Sequence, residues 1–362
     1  MPKLVIEGVE IHDLADCYVI AEIGHNHMGS LEVAMEMFRI AKQCGANAVK
    51  LQKRDNKNLY TRQMFDMPYI HRNSYGPTYG LHRQALEFGW DEYRELKAYA
   101  QEIGITMFAT AFDFASADFL AKLEVPAFKV ASGDLTNIPL IKHIARFGKP
   151  MIVSTGGATM TDVQRAYDAI MSINPQLCLL QCTAAYPADF AQLNLNVIRT
   201  YRQRFKDIVV GLSSHDNGIA MAVAAYVLGA RVIEKHFTLN HAAKGTDHPF
   251  SLEPQGLRKM VRDLRRTRLA LGDGVKRIYD SERDPITKMA KKIVAAHHLP
   301  PGHTITMADL ALKSPGDGLP PYELDKVIGR TTLVPLEPDQ AITFEVLKGW
   351  KEVQPTPGQA AA

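Results

Sequence analysis

Cysteine is scarce: four residues in 362, with no Cys-x-x-Cys pair among them. Cys178 and Cys182 fall in one apolar, strand-like run, where four residues span roughly 13 Å, too far for a bridge. A disulfide framework is therefore excluded, and a reducing, cytoplasmic setting is the expectation. No run of about 18 apolar residues occurs, so no segment reads as a membrane-spanning helix. The N-terminal MPKLVIEGVEIHD is broken by acidic residues and lacks the apolar centre of a signal peptide. Neither sign of charge is in large excess. The net charge is +3 with Lys and Arg spread along the chain, which gives no reason to expect nucleic acid or a membrane surface as partner. What remains is an ordinary globular composition, 46% hydrophobic and 22% charged, enough for a sizeable core in one or two domains.

Short β-branched runs recur through the first 240 residues: YVIAEI (18–23), NAVKLQ (47–52), TMFAT (106–110), AFKVAS (127–132), MIVST (151–155), CLLQCT (178–183), IVVGLS (208–213) and RVIEKH (231–236). Helical patterns lie between most of them. SLEVAMEMFRIAKQCG has Ser30 as an N-cap and Gly45 as its stop, and DEYRELKAYAQEIG runs from Asp91 to Gly104. Strict strand–helix alternation implies parallel strands, and eight units predict a (β/α)8 TIM barrel over residues 1–272. A doubly wound open sheet is the alternative. Its first-turn glycine pattern is missing, since Gly24 is followed by HNHMGS.

The C-terminal ends of these strands carry polar residues: Glu22, Lys50 with Gln52, Thr110, Lys129 with Ser132, Ser154, Tyr186 just past the sixth strand, Ser213 with His215, and Glu234 with His236. In a barrel those ends surround one mouth, where active sites sit. His215 and His236 end adjacent strands, close enough to hold one divalent ion and leave open positions on it; two ordinary structural histidines are the plainer reading. Lys50 and Lys129 facing one mouth call for an anion of more than one charge, with Ser132, Ser154 and Ser213 adding hydroxyls; two structural Lys–Glu bridges would also account for them. Glu22, beside His25, Asn26 and His27, is a candidate acid, base or water-orienting group. STGG at 154–157 opens a predicted helix and could offer backbone N–H groups to a phosphate, or be a simple turn. Residues 53–89 form an unusually long connection, rich in Arg, His, Tyr and Asn, that reads either as a binding loop or as a solvated excursion.

Beyond residue 272 the pattern breaks. Residues 273–290 are charged and irregular and read as a linker; 291–350 resume with short strands and Pro/Gly turns as a small domain; 351–362 read as a disordered tail.

Taken together, AEIGHNHMGSLEVA, AVKLQ, FKVASGDLTN, STGG, QCTAAYP, GLSSHDNGIA, VIEKHFTLN and KGTDHPFSLEP resemble the sialic acid synthase family, in order from about residue 18 to 345. The small domain resembles the antifreeze-like (SAF) module of those enzymes. The resemblance implies condensation of phosphoenolpyruvate with the open-chain form of a mannosamine-type sugar, releasing phosphate. It implies a divalent ion, Mn2+, Mg2+ or Co2+, on His215 and His236. It implies Lys50, Thr110, Lys129, Ser132, Ser154 and Ser213 around phosphoenolpyruvate, Gln52, Asp134, Tyr186 and Asp247 on the sugar, and Glu22 as an essential carboxylate. Asp134 stands where some members have Glu. It also implies a homodimer in which each small domain caps the partner's barrel mouth.

Bacterial members that take a free sugar often carry Arg-Pro-Gly-x-Gly in the small domain; here Ser314 stands in place of that Arg. The long insert, with SYGPTYGLHRQALEF, instead resembles animal-type synthases, which take a 6-phosphorylated sugar. The expected acceptor is thus N-acetylmannosamine 6-phosphate or mannose 6-phosphate, with Lys53, Arg72 and His82 as candidates for its phosphate. The same reaction on free N-acetylmannosamine or a diacetamido-trideoxy sugar is the nearest alternative. A metal-dependent hydrolase or class II aldolase and a non-catalytic carbohydrate- or ice-binding protein are more remote ones.

Overall fold

A computed structural model describes residues 1–349; the stretch read as a disordered tail lies outside them, as does Trp350. The chain divides into two compact units, Met1–Gly272 and Asp273–Ala362.

The first unit begins with a hairpin, β1 (Leu4–Ile6) and β2 (Val9–Ile11), turning through Glu7 and Gly8, both at positive φ. Eight parallel strands follow: β3 (Tyr18–Gly24), β4 (Ala48–Lys53), β5 (Thr106–Ala111), β6 (Phe128–Val130), β7 (Met151–Ser154), β8 (Leu177–Cys182), β9 (Val209–Ser214) and β10 (Val232–His236). They pair in sequence order, and β10 closes on β3 to complete a barrel. The open-sheet alternative is thereby excluded. Nearly every strand residue is buried, as expected where helices cover the outside and side chains fill the inside.

The helices begin and end for local reasons. Ser30 Oγ accepts from the Val33 amide at 3.2 Å to start the helix Leu31–Cys44, and Gly45 ends it in the left-handed region. Asp113, at the mouth after β5, caps the helix Phe114–Lys122 through the Ser116 amide at 2.7 Å. The connection after β4 is ordered as three short helices, Asn56–Leu59, Arg62–Asp66 and Tyr79–Gln84. Tyr60, Tyr69, Tyr79 and His82 pack ring on ring within it.

The second unit has a two-stranded antiparallel ribbon, β11 (Lys292–Ala295) and β12 (Leu310–Lys313), and a core that includes Ile293, Leu299, Ile305, Leu336 and Ile342. The stretch 273–290, read as an irregular linker, is not irregular throughout. It carries the helix Asp280–Met289, started by a Glu282 carboxylate that accepts from the Tyr279 amide. Ser314 is held inside its own unit, near Lys291 Nζ at 2.6 Å and the Met289 carbonyl at 3.2 Å.

Candidate active site

Strand phase explains the three ionisable residues that end β10. Alternate side chains point to opposite faces. Glu234 and His236 face the barrel interior, while Lys235 faces outward and pairs with Asp216 at 3.1 Å. The interior opens at the C-terminal strand ends into a cavity of about 460 Å³.

One end of that cavity holds a compact ion cluster. The register sets Glu22 of β3 beside Lys50 of β4 on one side and His236 of β10 on the other, and Thr110 of β5 beside Lys129 of β6. Lys50 Nζ lies 2.6 Å from Glu22 Oε2, 3.7 Å from Glu234 Oε1 and 2.8 Å from Thr110 Oγ1. Lys129 Nζ lies 3.9 Å from the same Glu234 oxygen and donates to Ser154 Oγ at 2.7 Å. Ser213 Oγ donates to Glu234 Oε1 at 3.2 Å. All of these side chains are buried.

The two carboxylates differ. Burial raises the Glu22 carboxyl, and Lys50 only partly offsets it. Burial acts upward on Glu234 too, but Lys129 and Lys50 together outweigh it and hold that carboxyl below its ordinary range. Glu22 is thus the group that more readily carries a proton. When it does, two lysines face a single negative charge and the pocket is electropositive.

His215 and His236 have ring centroids 5.3 Å apart. Burial, then the neighbouring His236, lowers His215 to about 4, and burial lowers His236, so both rings are neutral at physiological pH. His215 Nδ1 lies 2.9 Å from the Thr183 carbonyl and, as the N–H donor to it, leaves Nε2 with a free lone pair. His236 Nδ1 is buried, has no hydrogen-bond partner among the described residues, and lies 3.7 Å from Asp247 Oδ2. Two neutral imidazoles, one with its tautomer fixed and one with an orphaned nitrogen, form a donor set that fits a divalent cation. Among the described residues no group of three or more His, Cys, Asp or Glu side chains is arranged to hold a metal.

Ser132 stands on the turn after β6, where its Oγ accepts from the Gly156 amide at 2.9 Å. A side chain at 156 would meet Ser132 Oγ at 2.9 Å and Ala184 Cβ at 3.0 Å, which is why STGG needs glycine there. Gln52, Tyr186 and Asp247 also line the cavity. Around Gly24, at φ +54, a Cβ would stand 3.3 Å from Gln52 Nε2 and 3.4 Å from Glu22 Oε1.

Four of the expected site residues do not line this cavity. Asp134 is on the turn beyond Gly133, near Asn137 Nδ2. Lys53 points to the opposite face of β4, 3.0 Å from Glu87 and over the Phe119 ring. His82 packs under Tyr69, where its Nδ1 accepts from the Tyr75 amide. Arg72 is exposed on the long connection. His25 and His27, which flank Asn26 just after Glu22 in sequence, are engaged away from the histidine pair: His25 lies between Arg54 and Arg83, and His27 stacks on Phe88.

Three further charged residues line the cavity: Glu234, placed at the mouth by the sequence but without a role, and Arg54 and Arg83, which the sequence reading did not single out. The period of two accounts for the first two. Glu234 shares the phase of His236, and Arg54 that of Lys50 and Gln52. Arg83 comes from a loop helix and has no such signal.

The NeuB family profile matches residues 37–276 and the SAF domain profile residues 292–348. The N-acetylneuraminate-9-phosphate synthase of Homo sapiens is 42% identical over 332 residues, covering 91% of this chain and 92% of the human protein. The N,N'-diacetyllegionaminic acid synthase of Campylobacter jejuni is 34% identical, covering 90% and 98%. The crystal structure of the N-acetylneuraminic acid synthetase of Leptospira borgpetersenii, solved with citrate, superposes with a TM-score of 0.69 at 30% identity, over 78% of this chain and 95% of that one. With a closed barrel, a SAF domain and matches across nine-tenths of its length, this chain belongs to the NeuB family of sialic acid synthases.

Proposed function

We propose that the chain condenses phosphoenolpyruvate with N-acetylmannosamine 6-phosphate and water to give N-acetylneuraminate 9-phosphate and inorganic phosphate. The observation that carries this reading is the buried lysine pair, held by Glu22 and Glu234 beside two neutral histidines at the barrel mouth. Two relatives that are 42% identical over 91% of the chain, both N-acetylneuraminate-9-phosphate synthases, support the phosphorylated acceptor.

Lys50 and Lys129, with Thr110, Ser132, Ser154 and Ser213, hold the carboxylate and phosphate of phosphoenolpyruvate and fix C3 toward the acceptor. Gln52, Tyr186 and Asp247 orient the sugar. His215 and His236 would hold a divalent ion, which would supply Lewis acidity at the aldehyde oxygen; Mn2+, Mg2+ and Co2+ all suit two imidazoles plus oxygen ligands. C3 attacks the aldehyde carbon, the carbonyl π electrons go to its oxygen, which takes a proton to become a hydroxyl, and the electron deficiency moves to C2. Glu234, held ionised by the lysines, offsets that positive charge. Water adds at C2 and gives one proton to Glu22, the carboxylate available to take it; the C2 hydroxyl then loses its proton as phosphate leaves with the C–O electron pair, which forms the 2-keto group.

On the same reading the enzyme is a cytoplasmic homodimer whose SAF domains each cap the partner's barrel mouth. The small core of the second unit and its exposed Tyr322, Leu333 and Val334 support that arrangement. Full activity from a species that sediments as a monomer would rule it out.

Phosphate release tests the reaction, with phosphoenolpyruvate and, in turn, N-acetylmannosamine 6-phosphate, mannose 6-phosphate, free N-acetylmannosamine and a diacetamido-trideoxyhexose. Turnover that requires phosphoenolpyruvate and favours the first acceptor is expected. Turnover of the free sugar with equal efficiency would reject the 6-phosphate assignment, and turnover without phosphoenolpyruvate would reject the family chemistry for this chain.

A further inference from the structure

The cavity has a second cationic end, built by the connection after β4. Arg54 is buried, with its guanidinium 3.7 Å over the Phe112 ring. Arg83 donates from Nε and Nη2 to Tyr79 Oη, each at 3.1 Å. Both line the cavity. Among the described residues neither guanidinium has a carboxylate within ion-pair distance. Glu87 accepts through Oε1 from Lys53 Nζ and from the Arg54 backbone amide, and its Oε2 lies 4.0 Å from His25 Nε2; Asp247 faces His236, and Asp134 meets Asn137.

His25 lies between the two guanidiniums, its Nε2 3.2 Å from Arg54 Nη1 and its Nδ1 3.2 Å from Arg83 Nη1. Burial, reinforced by Arg54, keeps this imidazole neutral. A neutral imidazole has one acceptor nitrogen, so it satisfies one of these N–H groups and presents its own N–H to the other. A buried and a half-buried cation side by side, one with a donor facing a donor, are unfavourable unless an anion completes them.

We propose that Arg54 and Arg83, spaced by neutral His25, bind the terminal phosphate of the acceptor sugar. The inference rests on the acceptor reading above and adds the groups that recognise it. Planar guanidinium forks match a phosphate dianion, and two of them neutralise it. The position fits as well. Gln52 Nε2 donates to Glu22 Oε1 at 2.7 Å, and Gln52 Oε1 accepts from Arg54 Nη2 at 2.6 Å, so a hydrogen-bonded path runs from Lys50 through Glu22, Gln52, Arg54 and His25 to Arg83. A sugar aligned along that path puts its aldehyde at the lysine and histidine end and the phosphate on its far carbon at the arginine end.

Steady-state kinetics test this on wild type, Arg83→Gln and Arg54→Lys, with N-acetylmannosamine 6-phosphate or free N-acetylmannosamine varied at saturating phosphoenolpyruvate and, separately, phosphoenolpyruvate varied at saturating acceptor. Glutamine at 83 retains a donor for Tyr79, and lysine at 54 retains the charge, so at least one variant is expected to fold, as checked by circular dichroism. The expected result is a rise in KM for the phosphorylated acceptor on the order of 10- to 100-fold, well beyond any change with the free sugar, and a KM for phosphoenolpyruvate within about threefold of wild type. Equal losses on both sugars, or unchanged discrimination in a folded variant, overturn the assignment. Wild type without any preference for the 6-phosphate removes the acceptor reading itself; a wild-type preference that survives both substitutions removes only the role of the arginines.

Discussion

At one end of the barrel mouth Lys50 and Lys129 each have a carboxylate oxygen within 3.9 Å; at the other, Arg54 and Arg83 have none within ion-pair distance among the described residues. The first pair stands on barrel strands and the second is delivered by the connection after β4, Arg54 at its start and Arg83 from its last helix. The lysine end is internally compensated, so it survives as a packed cluster and gains positive character when Glu22 takes a proton. The arginine end is uncompensated, so its charge is complete only with an anion bound. Placing compensated charge on the framework and uncompensated charge on a connection separates the part that must hold its shape from the part that selects a substrate.

That contrast can be broken most severely at Lys50. Lys50→Met strands Glu22 and faces Glu234 with one lysine fewer. A loss of about 3–5 kcal/mol in urea unfolding is expected, together with a turnover loss above roughly a thousandfold in phosphate release. Stability equal to wild type would mean that the lysine end is not a mutually compensated cluster. Next in size is the histidine pair. Chelation with EDTA is expected to abolish turnover, added Mn2+ to restore it, and His215→Ala to lose about a hundredfold or more even with Mn2+ present. Full activity after exhaustive chelation would remove the metal from the reading.

A milder change sharpens the division. Gly156→Ala brings a methyl group against Ser132 Oγ and Ala184 at the lysine end only. It is expected to raise KM for phosphoenolpyruvate by roughly tenfold while leaving the preference between phosphorylated and free sugar in place. A shifted acceptor preference would mean the two ends are not separable. The smallest effect concerns His27, which burial lowers to about 3 while its ring stacks on Phe88. Below pH 6.5 the unfolded chain takes up a proton there that the folded chain refuses. Stability is therefore complete above pH 6.5 and falls with acidification toward pH 3, at up to about 1.4 kcal/mol per pH unit from this group. His27→Phe is expected to flatten that slope in urea titrations between pH 7 and 5; an unchanged slope would show that other groups account for it.

Strand-borne parts were legible in the sequence, because periodicity fixes both an element and the direction of its side chains. All eight barrel strands follow their β-branched runs, and Glu22, Lys50, Lys129, His215 and His236 meet in one cavity. Lys53 has the charge and the location for the sugar phosphate, yet it is out of phase with Lys50 and Gln52, which put Arg54 inside and Lys53 outside. The hairpin β1–β2 leaves little trace in the sequence because its strands have three residues each and its turn, Glu7-Gly8, is not one of the Asn-Gly or Asp-Gly pairs that mark hairpins. Arg72, His82 and Arg83 are equivalent in composition. Only the path of the connection decides that Arg83 enters the cavity, and a path set by tertiary packing leaves no periodic trace in the chain.

The location of both guanidiniums on the connection after β4 carries an evolutionary consequence. A descendant can exchange one charged acceptor for a neutral one by editing a single contiguous stretch of some thirty codons. The condensation machinery on the surrounding strands need not change at all, so diversification of product proceeds without passing through an inactive ancestor.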